Sequence, residues 1–295
     1  VIKNFKQINY LANIIKKNKI DIVHGNSRLT ANIFPLLAAK KCKVKYVQHQ
    51  RKFEDHLGLI VNYSKSYASC YFAISDEIKK NIVNTLKIPD SKVELVHNWI
   101  NPNNQNIKNT TTTNLFKILW LGRIVPWKGI DILINIANEM KKNNFEYFEI
   151  DIYGDYLDLD YKKYLLDMID SQNLKDIISF KGFKKFKEID IDNYSVYIHT
   201  SKEPEPFGRT IIESMKAGLP VCATNMGGVL DIITHNKNGF LYDCNKPFQL
   251  ISFLNRLNKD KFFSNELILN AQKTVKDKFS GDHQIKLIEK IYKGI

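Results

Sequence analysis

The chain has 295 residues, 44% of them hydrophobic and 12% aromatic, which is enough to build one large or two ordinary domains with real cores. Its 44 Lys and Arg outnumber 31 Asp and Glu, and the excess is uneven: residues 1–113 hold 18 basic and 7 acidic side chains, residues 114–295 hold 26 and 24. No apolar run nears the roughly 18 residues that span a bilayer, and the opening Val1-Ile2-Lys3-Asn4-Phe5-Lys6 lacks the apolar core of a signal peptide. Cys42, Cys70, Cys222 and Cys244 are scattered without metal-ligand spacing, so they read as ordinary thiols and no structural zinc is expected. The basic first part reads either as a well-solvated lysine-rich face or as a docking site for an anionic surface. No helix-turn-helix, zinc-finger or aromatic-basic ribonucleoprotein pattern accompanies it, so no nucleic acid is expected.

Short apolar runs alternate with helical periodicity, the pattern of parallel strands joined by crossover helices. A basic amphipathic helix over 2–18 precedes a strand at Ile20–His24, a helix at Ala31–Lys40, a strand at Val44–His49, a helix at Leu59–Ser69 and a strand at Cys70–Ile74. Ser75 is an N-cap candidate, because Asp76 and Glu77 would occupy the first turn where the helix dipole favours acids. After strand Val93–His97, residues 101–114 are almost devoid of apolar side chains and read as a linker. Phe116–Leu121 is a buried strand, and residues 122–129 form a loop into a helix whose inner face is Ile130, Leu133, Ile134, Ala137 and Met140. Strand Phe148–Tyr153, a polar helix at Tyr161–Ser171, strand Ile177–Lys181, a helix at Lys187–Asn193 and strand Val196–Thr200 follow. A helix opening at Gly208, strand Pro220–Ala223, the turn Gly227-Gly228, a short helix, strand Gly239–Tyr242 and C-terminal helices complete a doubly wound sheet.

The stretch Glu205-Pro206-Phe207-Gly208 with Glu213 places two carboxylates around the start of one helix, so both can line one cleft, an arrangement suited to polyhydroxylated ligands. Arg123 and Lys128 lie in a loop at the carboxyl end of a strand, where ligands of open α/β sheets bind; together they could grip a diphosphate or stand as a solvated pair. Lys128 precedes its glycine, so the loop is not a Walker loop. Arg209 in a helix's first turn opposes the dipole, which fits either a nearby anion or a surface ion pair with an acid. His49 ends a strand and would face an interdomain cleft, where it could orient a hydroxyl or transfer a proton, although a lone histidine is usually structural. Asp158 with Asp160, and Asp190 with Asp192, resemble metal-binding pairs but sit where helix caps are expected.

In chain order, Gly122-Arg123 with Lys128-Gly129, Gly154 after a strand, Phe180 to Phe183, Glu205 to Gly208 with Glu213, Gly218 to Pro220, Gly227-Gly228 and Asn238 to Phe240 resemble the retaining glycosyltransferases of the GT-B fold, family 4 (glycosyl transferases group 1). Tyr71 to Ser75 and Val96 to Asn98 match further landmarks, while Asn98-Trp99-Ile100-Asn101 departs from the usual Asn-Gly-Ile-Asp. The resemblance is close from residue 116 onward and looser over 20–105. It implies two Rossmann-like doubly wound α/β domains around an interdomain cleft: an acceptor-side domain over 1–105, a linker over 106–114, a nucleotide-sugar-binding domain over 115–280, and a C-terminal helix over 281–295 packing back toward the first domain. It implies that Arg123 and Lys128 hold the diphosphate of a nucleotide sugar, Glu205 meets sugar hydroxyls and Glu213 the ribose. Backbone near Phe183 would meet the base, amides of Phe207 and Gly208 would approach the sugar, Arg209 would complete the donor site, and His49 would lie near the transferred sugar.

The activity implied is a metal-independent, retaining transfer from a UDP- or GDP-sugar to a glycan or lipid-linked acceptor in surface-polysaccharide or glycolipid synthesis. No cofactor beyond that co-substrate is expected. A cytoplasmic location follows, with the basic N-terminal half against the anionic inner face of the membrane. The opening strands and glycine-rich loop of the family are not in this sequence, so the first domain is expected to be incomplete or completed by another polypeptide. A non-catalytic nucleotide-sugar-binding or partner subunit is the second reading.

Overall fold

In the computed structural model, residues 2–100, 115–145 and 147–295 are described. They form two α/β units, one of Val1–Asn98 with Gln284–Ile295 and one of Trp99–His283. The linker expected over 106–114 lies outside the described residues.

The first unit runs α1 (Ile2–Lys17), β1 (Ile22–Ser27), α2 (Ile33–Cys42), β2 (Lys45–Gln50), α3 (Leu59–Ser64), β3 (Cys70–Ala73), α4 (Asp76–Asn84) and β4 (Val93–Leu95). The four strands are parallel and lie in chain order, β1-β2-β3-β4. Parallel strands need covered faces, and two small cores among the described residues contribute to the cover. Ala12 and Ile15 of α1 meet Ala38 of α2 in one. In the other, Val47, Cys70, Phe72 and Val96 take Leu287, Ile288, Ile291 and Tyr292 from the C-terminal helix. Ser75 caps α4 as its sequence predicts, its hydroxyl accepting from the Ile78 amide at 3.2 Å, with Asp76 and Glu77 in the first turn.

The second unit continues with β5 (Phe116–Leu121), α5 (Ile130–Lys142), β6 (Phe148–Tyr153), α6 (Leu159–Ser171), β7 (Ile178–Gly182), β8 (Val196–His199), α7 (Arg209–Ala217), β9 (Val221–Thr224), β10 (Phe240–Tyr242), α8 (Gln249–Lys259) and α9 (Lys261–Lys278); the chain then enters α10 (Gly281–Gly294), which from Gln284 onward belongs to the first unit. Its sheet is parallel in the order β10-β9-β8-β5-β6-β7. One large core joins Ile118 and Trp120 of β5, Ile150 and Ile152 of β6, and the inner face of α5 from Ile130 to Met140, as the helical spacing predicts. The helix expected at Lys187–Asn193 is a correction: Phe186–Glu188 and Ile191–Asn193 are separate 3₁₀ turns. Phe186, Ile189 and Ile191 are all buried at spacings of three and two, which one α-helical face cannot satisfy. Asp158 caps α6 by accepting from the amides of Asp160 and Tyr161, and the Asp190 carboxylate accepts from the Asn193 amide group at 2.9 Å.

Candidate active site

In the second sheet, β5 pairs with β6 on one side and β8 on the other, so chain direction across the sheet reverses between β5 and β8. Loops leaving the carboxyl ends of the two strands meet there, the place where open α/β sheets bind ligands. Backbone proximity is built into the loop after β5. Gly129 has φ +68, and a Cβ on it would lie 2.1 Å from the Thr200 carbonyl oxygen. Only glycine combines that left-handed conformation with that approach. Thr200 in turn donates its hydroxyl to the Lys128 carbonyl at 2.7 Å and accepts from the Trp120 indole at 2.9 Å, while the Lys202 amide donates to the Trp127 carbonyl at 2.7 Å. The loops carrying Lys128 and Glu205 are therefore one stitched structure.

Glu205 is anchored from its other side by the turn after β9. The Gly228 amide donates to the Glu205 carbonyl at 2.7 Å, and a Cβ on Gly227, which has φ +66, would fall 2.5 Å from the same oxygen. So held, the Glu205 carboxylate receives a hydrogen bond from the Lys128 ammonium at Oε2, and His199 Nε2 lies 3.5 Å from the same oxygen. The Lys128 and Glu205 side chains are 14% and 16% exposed, so water screens the pair weakly. Burial by itself would raise the Glu205 carboxyl, but His199 and the Lys128 charge outweigh it and hold it at about 2. His199, 4% exposed, is pushed below its ordinary value by burial and by Lys128. The Trp127 ring has the Lys128 ammonium 4.3 Å and the Arg123 guanidinium 5.9 Å from its centroid, so both cations lie near one aromatic ring.

The second carboxylate has a different partner. Glu213, on the second turn of α7, accepts from Arg209 Nε at 3.0 Å, the surface ion pair that was one of the two readings of Arg209. Burial raises the Glu213 carboxyl above its usual range even though Arg209 opposes the shift. Gly208 starts α7 at φ +107. The Phe207 ring is a core group, buried edge-on against Phe279 at 5.6 Å, so its side chain does not face a ligand. Phe183, just past β7, is 61% exposed. Thus the structure pairs Lys128 with Glu205, sets Arg123 and Lys128 against the Trp127 ring, and pairs Glu213 with Arg209.

His49 belongs to the first unit and is 1% exposed. Its ring lies 5.4 Å from that of His24 and 5.5 Å from that of Phe72, and His24 Nδ1 shares a hydrogen bond with the Tyr292 hydroxyl. Burial, then Arg51 and His24, lower its pKa to about 3. Within the first unit the ring is a buried, neutral group. Trp127, Thr200 and His199 escaped sequence reasoning. Trp127 had a signal in its place between two cations; His199 ends a buried strand six residues before Glu205 and looked like any interior residue. Among the described residues, no group of three or more His, Cys, Asp or Glu could hold a metal ion.

With this geometry in view, the comparisons with known proteins converge. The family description "Glycosyl transferases group 1" matches residues 103–274, and "Glycosyltransferase Family 4" matches residues 1–104. The uncharacterized glycosyltransferase MJ1607 of Methanocaldococcus jannaschii is 27% identical over 95% of this chain and 77% of its own. The 2-deoxystreptamine N-acetyl-D-glucosaminyltransferase of Niallia circulans is 23% identical over 77% of this chain and 64% of its own. Among solved structures, Anabaena Alr3699/HepE in complex with UDP and glucose superposes with a TM-score of 0.84 at 22% identity, covering 97% of this chain and 81% of that one. The lipopolysaccharide outer core galactosyltransferase WaaB superposes at 0.78 and 18%, covering all of this chain and 81% of that one.

Proposed function

The chain belongs to the glycosyl transferases group 1 and is a GT-B glycosyltransferase, and from that premise we propose that it moves a sugar from a nucleotide-sugar donor to a glycan or lipid-linked acceptor with retention at the anomeric carbon. The observation that carries this reading is the Lys128–Glu205 pair at the switch point between β5 and β8. Breaking a glycosyl–phosphate bond places negative charge on the departing diphosphate, and cations fixed beforehand in a weakly screened site lower that barrier without reorganising, each worth about 3 kcal/mol. Arg123 and Lys128, both near the Trp127 ring, serve that charge; Glu205 accepts from hydroxyls of the transferred sugar; Glu213 accepts from the ribose. The amides of Phe207 and Gly208 at the α7 N-terminus approach the sugar, and backbone at Phe183 meets the base.

HepE structures holding UDP, UDP with glucose, or UDP-glucose support a uridine donor. Relatives in amylovoran and poly(ribitol-phosphate) glycosylation support a surface-polymer acceptor. No helix among the described residues is long and apolar enough to cross a membrane. Peripheral contact of the basic N-terminal half with an anionic bilayer is supported by α3, where Leu59, Ile60 and Tyr63 are exposed and Lys40 lies over the Tyr63 ring.

The test is calorimetric titration with UDP, GDP and their hexose conjugates, in chelator. Binding of one nucleotide is expected, with Arg123→Ala and Glu213→Ala each weakening it at least tenfold. No binding of any nucleotide removes the donor site, and unchanged affinity in both variants removes the assigned roles.

A further inference from the structure

Lys128 is asked to do two things: neutralise Glu205 and meet the diphosphate. Its ammonium has three hydrogens, but turning toward a phosphate loosens its hold on the carboxylate. The carboxylate then needs a second holder. Among the described residues Glu205 has two side-chain partners, Lys128 and His199, and both address Oε2. The geometry points to His199 as a positioning residue for the reaction, its Nε2–H donating toward Oε2 so that Oε1 is the oxygen turned to the transferred sugar. This rests on the reading of Glu205 as the sugar-contacting acid.

The hydrogen assignment follows from what surrounds the ring. Nε2 has two neighbours, Ser201 Oγ at 3.0 Å and Glu205 Oε2 at 3.5 Å, whereas Nδ1 is buried without a partner. With the proton on Nδ1, a buried N–H would be orphaned and the Nε2 lone pair would face a carboxylate oxygen. With the proton on Nε2, the N–H meets two acceptors and Nδ1 is left as an unpartnered acceptor, the less costly defect. The imidazolium would add an orphaned N–H and a second cation beside Lys128 in a buried site. Charged and titratable groups around the ring are Lys128, Glu205, the Ser201 hydroxyl, Tyr197 on the same strand and the Tyr242 hydroxyl, which donates to the His199 carbonyl at 3.0 Å. None of these but Glu205 favours the charged ring. His199 is therefore a neutral, fixed donor, not an acid or base of the reaction.

Nitrogen-15 imidazole spectra of the wild-type protein read the tautomer directly: Nε2–H is expected at pH 7 and still at pH 5. Carbon-13 titration of the Glu205 carboxyl should show it ionised throughout that range. His199→Gln puts an amide N–H near the Nε2 position, whereas His199→Leu removes the donor at similar volume. With whichever UDP- or GDP-hexose the enzyme turns over, His199→Leu should lower kcat at least tenfold. Its Kd for UDP should stay within twofold, and the acid limb of the pH–rate profile should rise by at least one unit. His199→Gln should recover kcat to within threefold of wild type. An Nδ1–H tautomer or an imidazolium at pH 7 overturns the proposal, as does a His199→Leu enzyme with wild-type kcat and acid limb, or a His199→Gln enzyme as impaired as His199→Leu. If His199→Leu does not fold, the wild-type spectra and the His199→Gln kinetics decide. A wild-type protein that binds no nucleotide sugar refutes the donor reading instead, while the tautomer and the Glu205 titration still test the His199–Glu205 bond.

Discussion

Replacing Lys128 by Met removes one partner of a weakly screened ion pair while keeping most of the side chain's apolar volume. The Glu205 carboxyl stands at about 2 against an ordinary 4.5. At about 1.4 kcal/mol per pH unit, that difference corresponds to about 3 kcal/mol of stability. Because His199 supplies part of the shift and the side chain keeps some exposure to water, about 2 kcal/mol is expected from Lys128. A carboxyl held below its unfolded value stabilises the fold above pH 4.5, and the contribution disappears as pH falls toward 2. The difference between Lys128→Met and wild type should therefore be full at pH 7 and shrink below pH 4.5. The three tryptophans, Trp99, Trp120 and Trp127, all lie in the second unit, so urea unfolding followed by tryptophan fluorescence reports that unit by itself. Adding Glu205→Gln to Lys128→Met should return part of the loss, since it removes the uncompensated carboxylate. A loss under about 0.5 kcal/mol at pH 7, or a double variant whose cost equals the sum of the single ones, would refute the coupling.

The other outcomes follow from backbone and burial. Gly129→Ala drives a Cβ to 2.1 Å from the Thr200 carbonyl at φ +68. It should lower the second unit's stability by at least about 2 kcal/mol and weaken nucleotide binding with it; a wild-type melting curve would contradict the stitched-loop account. His49, buried neutral with its pKa at about 3 against 6.5, takes up its proton more readily in the unfolded chain. The first unit should thus lose stability as pH falls from 6.5 toward 3, by about 1.4 kcal/mol per unit. Amide hydrogen exchange of β2 and β3 should show that slope, and His49→Asn should flatten it; an equal slope in the variant would mean another group is responsible.

Much of the fold was legible because its parallel strands are short runs buried on both faces while its helices bury one face each. Phe116–Leu121 and Phe148–Tyr153 have the bounds their apolar runs announce, and α5 buries the face its spacing predicts. Where apolar residues anchor irregular backbone, as at Phe186, Ile189 and Ile191, periodicity misled, because local spacing does not say which buried site each residue will find. At the site, the glycines and charged residues were visible as types in order. Their ion-pair partners were not: Glu205 pairs with Lys128 from a loop seventy-seven residues earlier, and Glu213 with Arg209 one turn away. His49 shows that a residue at the end of a strand can be buried as deeply as its middle, which its place in the sequence does not reveal.

Local chemistry in the chain already specified the parallel α/β class, the start of α4 at Ser75 and the charged residues available at the carboxyl ends of strands, because caps and periodicity act over three or four neighbours. Which of those charges share an environment depended on the sheet order that sets β8 beside β5, some eighty residues away in sequence. That juxtaposition lets Thr200 meet Gly129, brings Lys128 to Glu205 and leaves His199 beside them, and it arises from long-range packing that no stretch of sequence contains.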